Sequence, residues 1–210
     1  MQIKYNYSNR TAKIKYIVIH DTGNRGKGAN ALSHFKYFNG DNRQSSADIF
    51  VDDKEILVVN DYMKYYSWHC GDGKGKSGIT NNNSVGIELC INSDGDYNKA
   101  FENLIKITKE LMKKLNIPLD RVVRHFDASG KNCPQTMRDN DWQKWKEFKS
   151  MLTEKNKYSY DNTVEHLIRL GITKKENMEY WEKCLNGTEE LNKDNVRAIF
   201  DRLIAEVYKK

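Results

Sequence analysis

The run IKYIVI at residues 14–19 constrains this chain more than any other feature. It is a dense β-branched segment that ends at His20 in the polar loop DTGNRGKG. Such a run with an abrupt polar stop predicts a buried strand, with His20 exposed where the strand meets a sheet edge. Similar runs recur downstream. ADIFVDDKEILVV reads as a hairpin turning at Asp52–Asp53–Lys54–Glu55, SVGIELCI as a further strand, and RVVRH as a short one. Helical patterns lie between them. Leu32, Phe35 and Phe38 are spaced as a helix over 30–39 that stops at Gly40. Phe101, Leu104, Ile105, Thr108, Leu111, Met112 and Leu115 share one face of a longer helix closed by Asn116 and Pro118. A third helix, over 139–154, turns Trp142, Trp145, Phe148 and Leu152 inward. Strands alternating with helices imply an α/β sheet domain.

That domain accounts for residues 1–154. EKNKYSYDN has no apolar period and marks a linker over 155–161, followed by a small helical unit at 162–210. In that unit the patterns predict helices over 163–170, 176–185 and 193–208. A unit this small is near the lower limit for folding alone. The longest apolar runs fall far short of the ~20 residues that span a membrane. The polar, basic opening MQIKYNYSNRTAKIKY has no apolar stretch of the secretory type, so a cytoplasmic stage before release is expected. Four cysteines without a CxxC pair argue against a disulfide scaffold and for thiols or a thiolate ligand. The net charge is +6; residues 1–43 hold eight Lys/Arg against Asp21 and Asp41, and the remainder sums to zero. This basic start suggests an acidic partner, although a solvated positive face explains it equally. No nucleic-acid module is recognisable, and nucleic acid is not expected as a partner.

Chemistry concentrates at a few positions. His20 and His125 each follow directly on a short strand, and Cys133 lies eight residues beyond His125 in one loop. Zinc accepts imidazole and thiolate, and three protein ligands leave a fourth position open, as catalytic sites require. Spacing alone also permits a chance set. Glu88 alternates with Val85, Ile87 and Leu89, which by itself favours a solvent-facing strand residue, and Lys131 reads equally as an ordinary loop lysine. Trp68 and His69 lie in the glycine-rich loop WHCGDGKG, as groove residues or plain loop residues. His34 and His166 read as structural.

Five stretches in order make the chain recognisable: YIVIHDTGN, SSADIFVDDKEI, WHCGDGKG, NNSVGIELC and RHFDASGKNCP. It resembles the zinc-dependent N-acetylmuramoyl-L-alanine amidases of the type-2 family, which includes phage endolysins and bacterial autolysins and is related to the peptidoglycan recognition proteins. The resemblance implies a mixed central sheet flanked by helices, with His20, His125 and Cys133 as zinc ligands. It further implies Glu88 as the acidic catalytic residue, Lys131 as the cationic one, and Trp68 and His69 along the substrate groove. The implied reaction is hydrolysis of the amide joining N-acetylmuramic acid to L-alanine of the stem peptide. Relatives commonly carry His or Tyr around the positions held here by Asp48 and Ile49.

The helical unit, with LGI followed by YW, is similar to small cell-wall-binding modules of endolysins. Bacterial peptidoglycan is therefore the expected partner. Anionic wall polymers or a membrane surface are further expected partners for the basic start, and the protein is expected to be a monomer. The alternative is a noncatalytic peptidoglycan-binding protein. Members of that type lose the cysteine ligand, which this chain retains as Cys133.

Overall fold

A computed structural model of the chain describes residues 1–153, 168, 172–185, 189–190 and 192–207, which fall in two units, Met1–Thr153 and Glu154–Lys210. The strands of the first unit are β1 (Tyr7–Asn9), β2 (Tyr16–Asp21), β3 (Ile49–Val51), β4 (Ile56–Val58), β5 (Tyr65–Ser67), β6 (Ser84–Leu89) and β7 (Val122–Arg124). Five form a mixed sheet in the order β4-β3-β6-β2-β7, while β1 and β5 pair separately. Within the sheet β2 runs parallel to β6 and β7, β3 runs parallel to β6, and the β3–β4 hairpin is antiparallel.

The β-branched run thus occupies an interior strand with neighbours on both sides. His20 is accordingly 1% exposed, not at an open edge as its place at the end of the run suggested. Register explains the two faces. Ile17 and Ile19 of β2, Val85, Ile87 and Leu89 of β6, and Ile49 and Val51 of β3 point to one side, where α2 (Tyr97–Leu115) and α4 (Asp139–Thr153) cover them. Phe50 points to the other side, beneath α1 (Ala31–Gly40), with Phe35 and Phe38 packed on it.

The helix signals translate into caps. Asp96 caps α2 by accepting from the backbone N–H groups of Asn98 and Lys99, and Asn116 ends it in the left-handed region at φ 52°. In α1 the Asn30 side chain accepts from the Ser33 N–H. Gly40 is the last helical residue of α1 and not a left-handed cap, because the chain leaves through extended Asp41. In α4, Asn140, Asp141 and Trp142 have φ of 52°, 53° and 62°, and Trp142 is half-buried against the same core as the buried Trp145, Phe148 and Leu152. Its ring also lies beside Phe126 and under the Arg124 guanidinium, 4.1 Å from its centre.

In the second unit the described helices are α5 (Met178–Leu185) and α6 (Lys193–Val207). Trp181 is buried and donates its indole N–H to Thr173 Oγ1. The expected linker, the expected helix over 163–170 apart from Ile168, and His166 lie outside the described residues.

Candidate metal and catalytic site

The site forms where the parallel strands end, the place where open α/β sheets characteristically hold ligands. His20 is the direct register partner of Glu88 across β2 and β6, and side-chain alternation puts both on the face that Ser84 and Gly86 share. On the other side of β2, Ile19 pairs with Arg124 at the end of β7. The next residue, His125, opens the short helix α3 (His125–Ser129), and its ring centre lies 4.6 Å from that of His20. The loop after α3 returns over the strand ends. The Phe126 N–H donates to the Cys133 carbonyl at 3.0 Å, and Thr136 donates through its N–H and Oγ1 to Asp21 Oδ2. His20 thereby meets two residues more than a hundred positions downstream: His20, His125 and Cys133 are buried and offer ligand atoms that all lie within 4.8 Å of one another.

The polar atoms around this triad fit a bound cation. His125 donates from Nε2 to Asp72 Oδ1 at 2.8 Å, which leaves Nδ1 bare, buried and without a hydrogen-bond partner. Glu88 Oε2 is likewise buried without a partner, and Oε1 lies 3.9 Å from His20 Nδ1. Cys133 Sγ is 3.7 Å from the same nitrogen. The electrostatics agree. Burial, aided by neighbouring imidazoles and Lys131, holds His20 well below the usual histidine range, and burial also lowers His125 against the pull of Asp72. Both rings thus keep a lone pair. Burial pushes Glu88 up to about 8, with Asp21 acting in the same direction and Lys131 against it. Burial and the nearby Glu88 also raise the Cys133 thiol. Lone pairs turned inward and anions made costly are conditions that a divalent cation relieves.

A cavity of about 530 Å³ opens onto the triad, with Glu88 and Lys131 in its lining. The α1 side supplies His34 and Tyr37, and Trp68 forms part of the opposite wall. A second cavity of about 450 Å³ continues past Trp68 and His69 toward Ser8, Tyr66 and Asn81, again with Lys131 in its lining. The two share Ser45, Trp68, His69, His125 and Lys131, so an extended ligand can run past His125 from one to the other.

All seven residues singled out from sequence therefore meet here, though in different settings. Lys131 is exposed on the rim, Trp68 is 36% exposed, and Glu88 faces the cavity rather than bulk solvent. His69 is buried, and both its ring nitrogens are engaged inside the protein, by His20 and Ser84. Neither Asp48 nor Ile49 lines the cavity: Asp48 is fully buried beside Gly86, where it accepts from Asn60 Nδ2 and the N–H groups of Ser67 and Gly86, and Ile49 is core. Sequence reasoning missed Asp72, Asp21 and Thr136. Asp72 carried the one available signal, as the lone carboxylate in WHCGDGKG.

Comparison with known proteins settles the family. Residues 10–136 match the Amidase_2 model, described as N-acetylmuramoyl-L-alanine amidase. The chain belongs to this amidase family. Among curated amidases it is similar to CwlH of Bacillus subtilis (strain 168), at 35% identity over 159 residues, covering 76% of this chain and 61% of that protein. It is also similar to XlyA of the same organism, at 40% identity over 138 residues, covering 64% of this chain and 43% of that one. The chain thus spans between two fifths and two thirds of these amidases' lengths. Among solved structures, the catalytic domain of XlyA aligns with a TM-score of 0.63 at 37% identity, covering 70% of this chain and 91% of that domain. PlyL aligns with a TM-score of 0.61 at 29% identity, covering 73% and 98%. The mixed sheet flanked by helices is the amidase fold.

Proposed function

We propose that this chain is a peptidoglycan hydrolase of the endolysin type, cleaving the amide between N-acetylmuramic acid and L-alanine of the stem peptide, with zinc held by His20, His125 and Cys133. The observation that carries the reading is the convergence of those three ligand atoms within 4.8 Å at the mouth of a cavity also lined by Glu88. Zinc bound there supplies a Lewis acid that polarises a carbonyl and lowers the pKa of water from ~16 towards ~7.

The chain's own residues do the rest. Among the described residues Glu88 is the carboxylate within 4 Å of His20 Nδ1, and its unpartnered Oε2 is free to take a proton from the attacking water and return it to the departing L-alanine nitrogen. Lys131, on the rim, stabilises the oxyanion that develops on the carbonyl oxygen. Trp68, standing between the two cavities, offers an aromatic wall to a sugar–peptide strand. Cys133, the ligand absent from noncatalytic relatives in the family resemblance, supports the catalytic reading over binding alone.

The 162–210 unit is proposed to bind cell walls, and exposed Lys13, Arg25 and Lys27 to assist adsorption to anionic wall polymers or a membrane surface. Arg10 is set apart from these, because its guanidinium donates to the backbone carbonyls of Tyr62, Asn82 and Ser84. The protein is proposed to act on the wall after release from the cytoplasm, as a monomer.

The test is digestion of purified cell walls. The reading expects new N-terminal L-alanine among the products, abolished by a chelator and restored by zinc. Wall binding without release of L-alanine overturns it in favour of a recognition protein, and undiminished release by His20→Ala overturns the ligand assignment.

A further inference from the structure

The geometry points to a role for His69 that is not contact with substrate: we propose that His69, itself anchored by Ser84, is a positioning residue that fixes the tautomer of His20 so that Nδ1 faces the metal. The inference rests on the reading of His20, His125 and Cys133 as a metal site. It is derived from the order of hydrogen bonds beneath them.

Ser84 Oγ lies 2.5 Å from the Thr80 carbonyl oxygen, which can only accept, so the hydroxyl proton is committed there. At 3.1 Å from His69 Nε2, the same oxygen can then only accept, and Nε2 must carry the ring's proton. His69 is buried, its ring partners among the described residues are His20 and Ser84 with no carboxylate, and a neutral ring has one N–H. His69 Nδ1 is therefore a bare acceptor. It stands 3.0 Å from His20 Nε2, which must donate. That leaves His20 Nδ1 as the lone pair, on the side of Cys133 and Glu88. The Asp72 carboxylate imposes the same tautomer on His125 from the other side. One imidazole ligand is thus oriented by a carboxylate and the other by a neutral relay, His69–Ser84–Thr80.

The backbone is shaped to hold this relay. A Cβ on Gly86 would come within 2.5 Å of the His69 ring, so the ring lies flat against the sheet only because that strand position is glycine. Asn81 Oδ1 accepts from the backbone N–H groups of both His69 and Cys70, which fixes the approach of the loop.

Partners of metal-bound histidines commonly change metal affinity by about 10–100-fold when removed. The experiment is competition of the full-length protein against a chromophoric chelator for zinc, with ring nitrogen NMR shifts of the metal-free protein as a second measurement. His69→Phe, which keeps a ring but removes the acceptor, is expected to weaken zinc binding about 10–100-fold. His69→Gln, whose amide can accept from His20 and donate to Ser84, is expected to recover most of that loss. In the metal-free wild type, His20 and His69 are both expected as Nε2–H tautomers. Wild-type affinity in His69→Phe, equal weakening in Phe and Gln, or an Nδ1–H tautomer at His20 overturns the proposal. Should His69→Phe fail to fold, Ser84→Ala and the wild-type NMR measurement decide. A wild-type protein that binds no zinc overturns the metal site itself, whereas the other outcomes leave that site standing.

Discussion

Glu88 is next to His20 because parallel strands set register partners side by side, and it faces the cavity because it is an even step from Ser84 and Gly86. A proton-transfer role at that position makes a sharp demand on the carboxylate. Glu88→Gln keeps the size and is expected to lower turnover of purified peptidoglycan by about 10²–10⁴-fold while zinc binding survives; turnover and metal content measured on the same sample check it. Gly86 makes a second residue-scale demand. Gly86→Ala must displace the His69 ring, and we expect a loss of about 1–3 kcal/mol in denaturant unfolding. Neither consequence is readable from the chain alone. Glu88 in an alternating strand looks the same whether its face meets water or a cavity, and Gly86 looks like a weak point in a strand until the ring above it is seen.

At the level of elements, local chemistry predicts well wherever an element is closed by its own residues. The amphipathic stripe of α2 and its Asn116 stop need no distant partner, and both stand as the spacing implies. Asp96→Ala should cost ~1 kcal/mol, read as a lowered Tm, because two N–H groups lose their acceptor. Asp48 is the opposite case. It ties the segment leading into β3 to β6, to Asn60 and to Ser67 at the end of β5, through one fully buried carboxylate. Asp48→Ala strands these donors without water, and a loss of about 2–4 kcal/mol is expected by chemical denaturation. Nothing in the run SSADIFVDDKEI shows that this carboxylate is satisfied by Asn60, Ser67 and Gly86, because those donors come from elsewhere in the chain.

For the whole molecule, a metal that binds only the folded site should stabilise it by linkage. At a zinc concentration a thousandfold above Kd, the gain is about 4 kcal/mol, and thermal unfolding with zinc and with chelator measures it. An unchanged Tm would deny the site. Surface charge acts separately: neutralising Lys13, Arg25 and Lys27 should weaken adsorption to anionic walls at low salt and leave little difference above ~0.15 M, as sedimentation with cell walls would show.

The sequence by itself determined the α/β class, the buried strand, the apolar helix faces and the Asn116 stop of α2, and through its ordered motifs the family. These depend on patterns a few residues long or on motif order, both of which survive in one dimension. Only the tertiary structure decided which lone pairs point inward, that Asp72 and His69 hold the two imidazoles, and that Asp48 belongs to the framework. The physical reason is that hydrogen-bond direction and burial are set by strand register and loop return, which join residues as far apart as His20 and Cys133. No local pattern encodes that meeting.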